Sequence, residues 1–271
     1  SRFGLSVVTL VFEDDVDIYW ARQQVSERLQ QVQELIPKGL AMPILAPVTT
    51  GLGEIYQYTV RPKKGYEDKY DAMELRTIQD WIVRRQLQGV KGVAEVSSFG
   101  GLLKQYEIAV VPEKLLAYDI TISDVFEALE KNNQNTGGSY IEKGPTILFI
   151  RSEGLVGNME DIQNIVVKNL PNGLPLLIRD VSVVGLGNAP RFGAMTYNGE
   201  QEVSGAVVMM LKGENSNEVI KNIKERIVQI EKTLPEGVMI DAFLDRTKMV
   251  NNSISTVTSN LLEGALIVIF V

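Results

Sequence analysis

Apolar positions along this chain recur in two rhythms, one near 3.6 residues and one near 2, arranged in alternating blocks. Leu5–Phe12 has the β-branched, apolar make-up of a strand, and Ile18, Val25, Leu29, Val32 and Ile36 then share one helical face. Asp17 is placed to cap that helix, because its carboxylate can accept free first-turn N–H groups. Pro37-Lys38-Gly39 ends it, and Leu40–Val48 reads as extended. The same order returns much later. A strand at Val203–Leu211, a turn at Lys212-Gly213 and a cap at Asn215 or Ser216 precede a stripe of Val219, Ile220, Ile223, Ile227, Ile230 and Leu234. Pro235-Glu236-Gly237 and a strand at Val238–Leu244 close the repeat. Strands joined through such a helix form βαβ units.

A third unit lies between the two copies. Ile55–Val60 alternates as a strand, Leu75, Ile78 and Ile82 mark a helix, and Val93–Val96 is strand-like; Pro62–Asp71 reads as a charged surface loop. The third unit and the second copy can combine into one four-stranded, two-helix ferredoxin-like sandwich. Residues 106–187 break the rhythm and predict an α+β insertion. It holds a strand at Tyr106–Val111, a helix capped by Thr121 or Ser123 with Ile122, Val125, Phe126 and Leu129, and a polar stretch at Asn132–Gly138. A hairpin with Tyr140–Ile141 and Ile147–Ile150 around Lys143-Gly144-Pro145 follows, then a short helix near Met159–Ile162. Strands at Ile165–Val167, Leu176–Ile178 and Val181–Val184 complete it. The fold class expected is therefore α+β: ferredoxin-like βαβ sandwich subdomains with an inserted α+β subdomain.

Composition narrows the function. A length of 271 residues exceeds one small core and predicts two or three compact units. The net charge of −7 and the lack of any Lys/Arg run longer than two residues exclude a nucleic-acid partner. With no cysteine and no histidine, disulfides, thiolate metal sites and the commonest general base and zinc ligand are all absent. No nucleophile elbow, phosphate-binding glycine loop or HExxH pattern is present, so the chain does not read as an enzyme. The first residues run straight into a strand-like segment without an initiator Met, which reads as an excerpt. At the other end, Val250, Ile254, Val257 and Leu261 at helical spacing lead into Gly264–Val271, GALIVIFV. That run is too short to span a bilayer, which takes roughly 20 apolar residues. It reads as the first part of a transmembrane helix, with a C-terminal core strand as the alternative.

Five stretches, in order along the chain, resemble inner-membrane pumps of the resistance-nodulation-division family, in its heavy-metal (CusA/CzcA-type) branch. They are FEDDVDIYWARQQVSERL at Phe12–Leu29, IQDWIVRRQLQGVKGVAEVSSFGG at Ile78–Gly101, NNQNTGGSYIE at Asn132–Glu142, LLIRDVSVVGLG at Leu176–Gly187 and YNGEQEVSGAVVM at Tyr197–Met209. The resemblance implies that residues 1–51 are the second half of the first N-terminal porter subdomain. It makes 52–105 with 188–245 the second porter subdomain, 106–187 the N-terminal docking subdomain, and 246–271 the truncated start of the second transmembrane helix. It also implies a proton-driven homotrimer that exports heavy-metal cations, works with a periplasmic adaptor and an outer-membrane channel, and is held in the bacterial inner membrane by segments outside this chain. This chain would lie in the periplasm and need no cofactor. The half-sandwich at 1–51 would leave the Ile18–Ile36 stripe uncovered, so a dimeric or swapped contact is expected there.

For sites, the resemblance points to a docking arm that reaches a neighbouring protomer: Asn135, Thr136, Gly137, Gly138, Tyr140, Lys143, Gly144 and Pro145. An ordinary surface hairpin is the plain alternative. No catalytic or metal residue is assigned, since the family's metal ligands lie largely in a later loop and its proton-relaying carboxylates in the membrane. Among eight methionines, Met209-Met210 point to opposite strand faces and read as core filler, and Met195 stands alone. Copper-type members carry methionine where this chain has Pro190, which points towards cobalt, zinc, cadmium or nickel. Glu13, Asp14, Asp15 and Asp17 read as a solvated loop with one helix cap, and Trp20, Trp81 and Phe126 as core or interface anchors. Two other readings stay open: a pump of the same family for drugs or organic compounds, and a soluble ferredoxin-like ligand-binding or regulatory module.

Overall fold

The computed structural model describes residues 6–33, 35–37, 42–49, 53–191 and 193–270, and the chain divides into two compact units, Ser1–Thr49 and Thr50–Val271. In the first unit Asp17 caps α1 (Ile18–Gln33) as expected. Its Oδ1 accepts the N–H of Tyr19 at 3.0 Å and of Trp20 at 2.8 Å. Val25 and Leu29 are half-buried, while Ile18 and Val32 are exposed. Arg22 Nη1 donates to the Ala46 carbonyl, tying the helix to the segment at 42–49. The strand expected at Leu5–Phe12 does not form over 6–12, where Val7, Val8 and Val11 are largely exposed. Branched side chains favour extended backbone, but a ladder needs a second strand, and no described residue of this unit supplies one. Lys38 and Gly39, expected to stop the helix, lie outside the described residues.

The second unit begins with β1 (Glu54–Pro62) and α2 (Ala72–Ile78), the latter opened by a reciprocal Asp71–Glu74 capping box. A π-turn at Gln79–Val83 joins α2 to α3 (Arg84–Gln88), and β2 (Val93–Gly100) follows. Leu75 and Ile78 are buried as expected, but the extra residue in the π-turn also rolls Gln79, Val83 and Leu87 inward, each fully buried. The segment expected as a free loop after β1 is pinned. The Tyr66 hydroxyl donates to Glu236 Oε1 at 2.9 Å and the Tyr70 hydroxyl to the Glu236 carbonyl at 2.6 Å.

The insertion contains β3 (Lys104–Val110), α4 (Pro112–Ala117), α5 (Ile122–Lys131), β4 (Thr136–Lys143), β5 (Thr146–Ser152), α6 (Met159–Gln163), β6 (Val166–Asn169), β7 (Pro175–Leu177), α7 (Ile178–Val181) and β8 (Ser182–Asn188). β3 pairs antiparallel with β8 and β6 with β7. Leu115, Val125, Ile162, Leu176, Ile178 and Val181 anchor a separate apolar core. Thr121 is the N-cap of α5, in a box with Asp124. The strands expected at Leu176–Ile178 and Val181–Val184 are interrupted by α7. Asp180 Oδ2 accepts the Leu177 N–H at 2.8 Å and Ser182 Oγ donates to the Ile178 carbonyl at 2.7 Å, so two side chains close a helical turn inside a β-branched run. Phe126 is 68% exposed, Trp81 60% and Trp20 56%, so none is a core anchor; the Arg85 guanidinium stacks 4.0 Å from the Trp81 ring.

The chain returns through the short hairpin β9 (Thr196–Tyr197) and β10 (Gln201–Glu202) to β11 (Ser204–Met210), α8 (Ser216–Glu231) and β12 (Val238–Asp245). The sheet order is β12-β1-β11-β2 with every neighbouring pair antiparallel. β1 and β2 are therefore parallel with β11 between them, and β11 and β12 are parallel with β1 between them. Two interlocked split βαβ units of this kind are the ferredoxin-like sandwich that the sequence predicts. Asn215 caps α8, and Val219, Ile220, Ile223, Ile227 and Ile230 are all buried in one core with Leu75, Val83, Val96 and Val208. Each such side chain contributes about 1.5–3 kcal/mol on burial. Gly237 has φ +88°, and a Cβ there would lie 2.2 Å from the Tyr66 ring, so only glycine lets the 63–71 segment close over this turn.

α9 (Arg246–Phe270) leaves the sheet at Asp245, whose side chain is 7% exposed. Burial pushes its carboxyl up, but the Lys224 ammonium at 2.5 Å and the hydroxyl and N–H of Thr247 hold it below the usual carboxylate range. Such a depressed carboxylate adds stability that is present above its unfolded pKa of about 3.9 and lost as pH falls through the folded value. Asp245→Asn is therefore expected to destabilise the chain near neutral pH and to converge with the unaltered chain below about pH 4. Urea unfolding of both across that range checks this, and a constant gap would contradict it. Ile254, Val257, Leu261 and Leu262 on α9 are exposed, and among the described residues no helix is long and apolar enough to cross a membrane.

Candidate functional site: an apolar arm and an open sheet face

The eight residues expected as a docking arm lie along one hairpin rather than around one pocket. Lys143 ends β4 and Gly144-Pro145 forms a two-residue turn before β5, with Gly144 at φ +63°. Positive φ at the first turn position and proline at the second match the twist of a hairpin. Tyr140 sits in mid-strand opposite Phe149, and a bulge falls between Gly137 and Tyr140. Thr136 starts the strand, so 136–138 belong to β4, with Thr136 and Gly137 in the ladder and Gly138 in the bulge, and not to the irregular polar stretch the composition predicts. Asn135 stands at the base, where its Oδ1 accepts the Gly154 N–H at 3.1 Å; beside it Asn133 Oδ1 accepts the Val156 N–H at 3.0 Å.

What sequence reasoning missed is the coating of this arm. Ile141, Ile147, Leu148 and Ile150 are each about half exposed, as is Tyr140, and Phe149 is 78% exposed. Tyr140 and Phe149 share one face, Ile141 and Leu148 the other, so both faces of the ribbon are apolar and open to solvent. The signal was the unbroken run Ile147-Leu148-Phe149-Ile150, which cannot place its apolar side chains on one side only. An isolated two-stranded ribbon is marginal in water, and an exposed apolar surface of this kind marks a contact.

A second feature is the sheet face opposite α2, α3 and α8. Strand pairing puts Glu54, Met209 and Glu95 in one row across β1, β11 and β2, and Gln57, Val207 and Ser97 in the next. Gln57 Nε2 donates to Glu54 at 3.3 Å and Ser97 Oγ to Glu95 at 3.1 Å, so amide and hydroxyl brace the two carboxylates. With strands about 4.8 Å apart, Glu54 and Glu95 start roughly 10 Å from each other on either side of the Met209 thioether. Met209 is thus on the open face, half-exposed, and not core filler; Met210 alone packs on the core, a bulge separating the two.

The next row, Thr59, Gly205 and Phe99, is partly roofed. A Cβ on Gly205 would sit 3.0 Å from Met195 Sδ and one on Gly100 2.6 Å from Met195 Cβ, so Met195 lies across two bare glycines as packing. Arg61 donates to Asp241 Oδ2 from Nη2 at 2.7 Å and stacks 4.4 Å from the Tyr197 ring, whose hydroxyl donates to the same carboxylate at 3.3 Å. This clamp holds β9 and β10 beside the sheet. Tyr56 is pushed up to about 12 by burial first and then by Asp245 and Asp241, so it stays protonated. Pro190 lines a shallow cleft with Arg76, Gly101, Leu103, Arg191 and Gly193, which contains no soft ligand. Glu13, Asp14 and Asp15 are on a turn ahead of the Asp17 cap, and among the described residues no group of three His, Cys, Asp or Glu side chains could hold a metal ion.

Comparison with known proteins adds the wider context. The sequence model of the AcrB/AcrD/AcrF family matches residues 1–271. Protein HelA of Legionella pneumophila is 48% identical over 99% of this chain and 25% of its own length. The cobalt-zinc-cadmium resistance protein CzcA of Cupriavidus metallidurans is 44% identical over 100% of this chain and 26% of its own length. The X-ray crystal structure of a heavy metal efflux pump, in its crystal form I, superposes with a TM-score of 0.78 at 33% identity, over 94% of this chain and 24% of that one. The chain spans about a quarter of the length of these relatives.

Proposed function

The chain belongs to the AcrB/AcrD/AcrF family, and from that premise we propose that it is the periplasmic porter and docking part of a proton-driven inner-membrane pump for heavy-metal cations. The observation that carries this reading is 44% identity, along the entire chain, to a relative named for resistance to cobalt, zinc and cadmium. In it, residues 1–51 are half of the first porter subdomain, 52–105 with 188–245 the second, 106–187 the docking subdomain, and 246–271 the start of a membrane helix. A stiff sandwich suits a part that swings as a body while clefts beside it open and close. The apolar arm at 136–152 is the contact to the next protomer of a homotrimer, and the assembled trimer meets an adaptor and an outer-membrane channel.

The open face supplies what a cation pump needs on a moving wall. Two braced carboxylates and a thioether attract a divalent ion but do not complete its coordination, so the remaining ligands come from a surface outside this chain. Deleting the gene in its native host is expected to sensitise cells to zinc, cadmium, cobalt or nickel salts. Sensitivity to organic drugs alone would overturn the cation reading. Reintroducing the full-length protein with Glu54→Gln and Glu95→Gln together is expected to lower the tolerated metal concentration by about 10-fold, with the oligomer unchanged. Full rescue by that variant would remove the open face from the cation path.

A further inference from the structure

Among the described residues, four buried side-chain atoms lack a hydrogen-bond partner: Tyr58 Oη, Gln79 Oε1, Asp80 Oδ1 and Arg84 Nε. All four belong to one place. Gln79 and Asp80 open the π-turn, and Arg84 closes it, its N–H donating to the Gln79 carbonyl five residues back. Tyr58, fully buried on β1, turns its hydroxyl towards this turn. The hydroxyl is pushed up first by burial; the Gln79 amide beside it and Arg84 pull the other way, and Asp80 adds to the push, so all three residues surround it. The hydroxyl nevertheless finds no acceptor among them for its own hydrogen.

Each neighbour is satisfied on one side only. Gln79 Nε2 donates to Ser98 Oγ at 3.1 Å, leaving its carbonyl oxygen bare. Asp80 Oδ2 takes the Arg76 Nε–H at 2.7 Å, leaving Oδ1 bare. Arg76 is further committed to the Gly100 carbonyl at 2.7 Å, so it is held away from the second oxygen. The unmet groups number two donors, Tyr58 Oη–H and Arg84 Nε–H, and two acceptors, Gln79 Oε1 and Asp80 Oδ1.

We propose that this cluster is a built hydration site that takes one internal water. A water accepts two hydrogen bonds and donates two, which is the complement these atoms present. The chemistry selects against ions. A cation would face two N–H or O–H hydrogens and the charges of Arg76 and Arg84 against the single carboxylate of Asp80. An anion would face the Asp80 and Gln79 oxygens. The π-turn is the structural counterpart of the site: its five-residue spacing brings Gln79, Asp80 and Arg84 onto the turn that surrounds Tyr58. The water thus bridges β1 to the helix layer at the centre of the sandwich. The site is independent of the transport reading, because it depends only on the fold.

A crystal structure of the 271-residue chain at a resolution that shows ordered water tests it. The expected result is one water within about 2.7–3.2 Å of at least three of the four atoms. A Tyr58 hydroxyl bonded directly to Gln79 Oε1, with no water between them, would overturn the proposal. Magnetic relaxation dispersion gives a second readout in solution, by counting long-lived internal waters. Gln79→Met, which keeps the volume and removes the acceptor, is expected to lower that count by one. An unchanged count in a folded variant would also overturn it.

Discussion

Ile147→Asp with Phe149→Asp, made together in the full-length protein, is expected to shift the proposed trimer to monomer while leaving each chain folded. The two residues are on one face of β5, 54% and 78% exposed, and that face continues to Tyr140 across the hairpin. Exposed positions of this kind cost the folded chain little, within about 0.5 kcal/mol, so the change acts on association and not on the fold. If a neighbouring protomer covers them, each forfeits about 1.5–3 kcal/mol of apolar burial and gains a charge that must be desolvated. Two such losses weaken association by at least about 100-fold. Native mass spectrometry of the detergent-extracted protein reads the trimer fraction directly. An unchanged trimer would mean that the arm faces solvent or some other partner. Because Glu54 and Glu95 are on β1 and β2 and not on this hairpin, the two sets of variants test the proposed assembly and the proposed cation handling separately.

The reason this arm was only half legible in the sequence is physical. Lys143-Gly144-Pro145 between two apolar runs announces a hairpin, since turn chemistry is local. Exposure of both faces is not local: it depends on whether a third element packs on the ribbon. The row Glu54–Met209–Glu95 was wholly illegible, because it is set by the pairing of residues about 155 and 115 positions apart, next to two bulges. Alternation along β11 puts Met209 and Met210 on opposite faces, but it does not say which face the helices cover, and an apolar Met209 reads as core for that reason. By contrast, the Asp17 cap and the α8 stripe from Val219 to Ile230 were legible, and Thr121 and Asn215 each stood as one of two candidate caps, all of them patterns confined to one or a few turns. The π-turn escaped because Leu75, Ile78 and Ile82 fit an ordinary helix, and a buried polar Gln79 leaves no mark in apolar periodicity. α7 escaped because Leu176–Val184 is β-branched and apolar throughout but for Arg179, Asp180 and Ser182. The last two of these bond back to the chain and bend it. Residues 6–12 show the opposite failure, strand composition without a ladder among the described residues.

Ile223→Ala is expected to cost the second unit about 3–5 kcal/mol, the upper part of the range for truncating a buried isoleucine. Ile223 is fully buried, with Ile220 and Ile230 on the same helix face also at 0% exposure. A helix braced at both neighbouring turns cannot settle into the gap, so the cavity persists and its cost adds to the lost transfer energy. Val228, on the same helix but 56% exposed, provides the control: Val228→Ala is expected to change stability by less than about 0.5 kcal/mol. The chain has two compact units, so a single unfolding curve mixes them, and the transition must be assigned. Trp20 belongs to the first unit and Trp81 to the second, so urea unfolding followed by fluorescence in a Trp20→Phe background reports the sandwich alone. A large loss for Ile223→Ala beside a negligible one for Val228→Ala is what a helix packed by one face requires. Equal losses would mean that α8 is not seated on the sheet by its Ile220–Ile223–Ile230 face, and the stiff sandwich on which the proposed function rests would go with it.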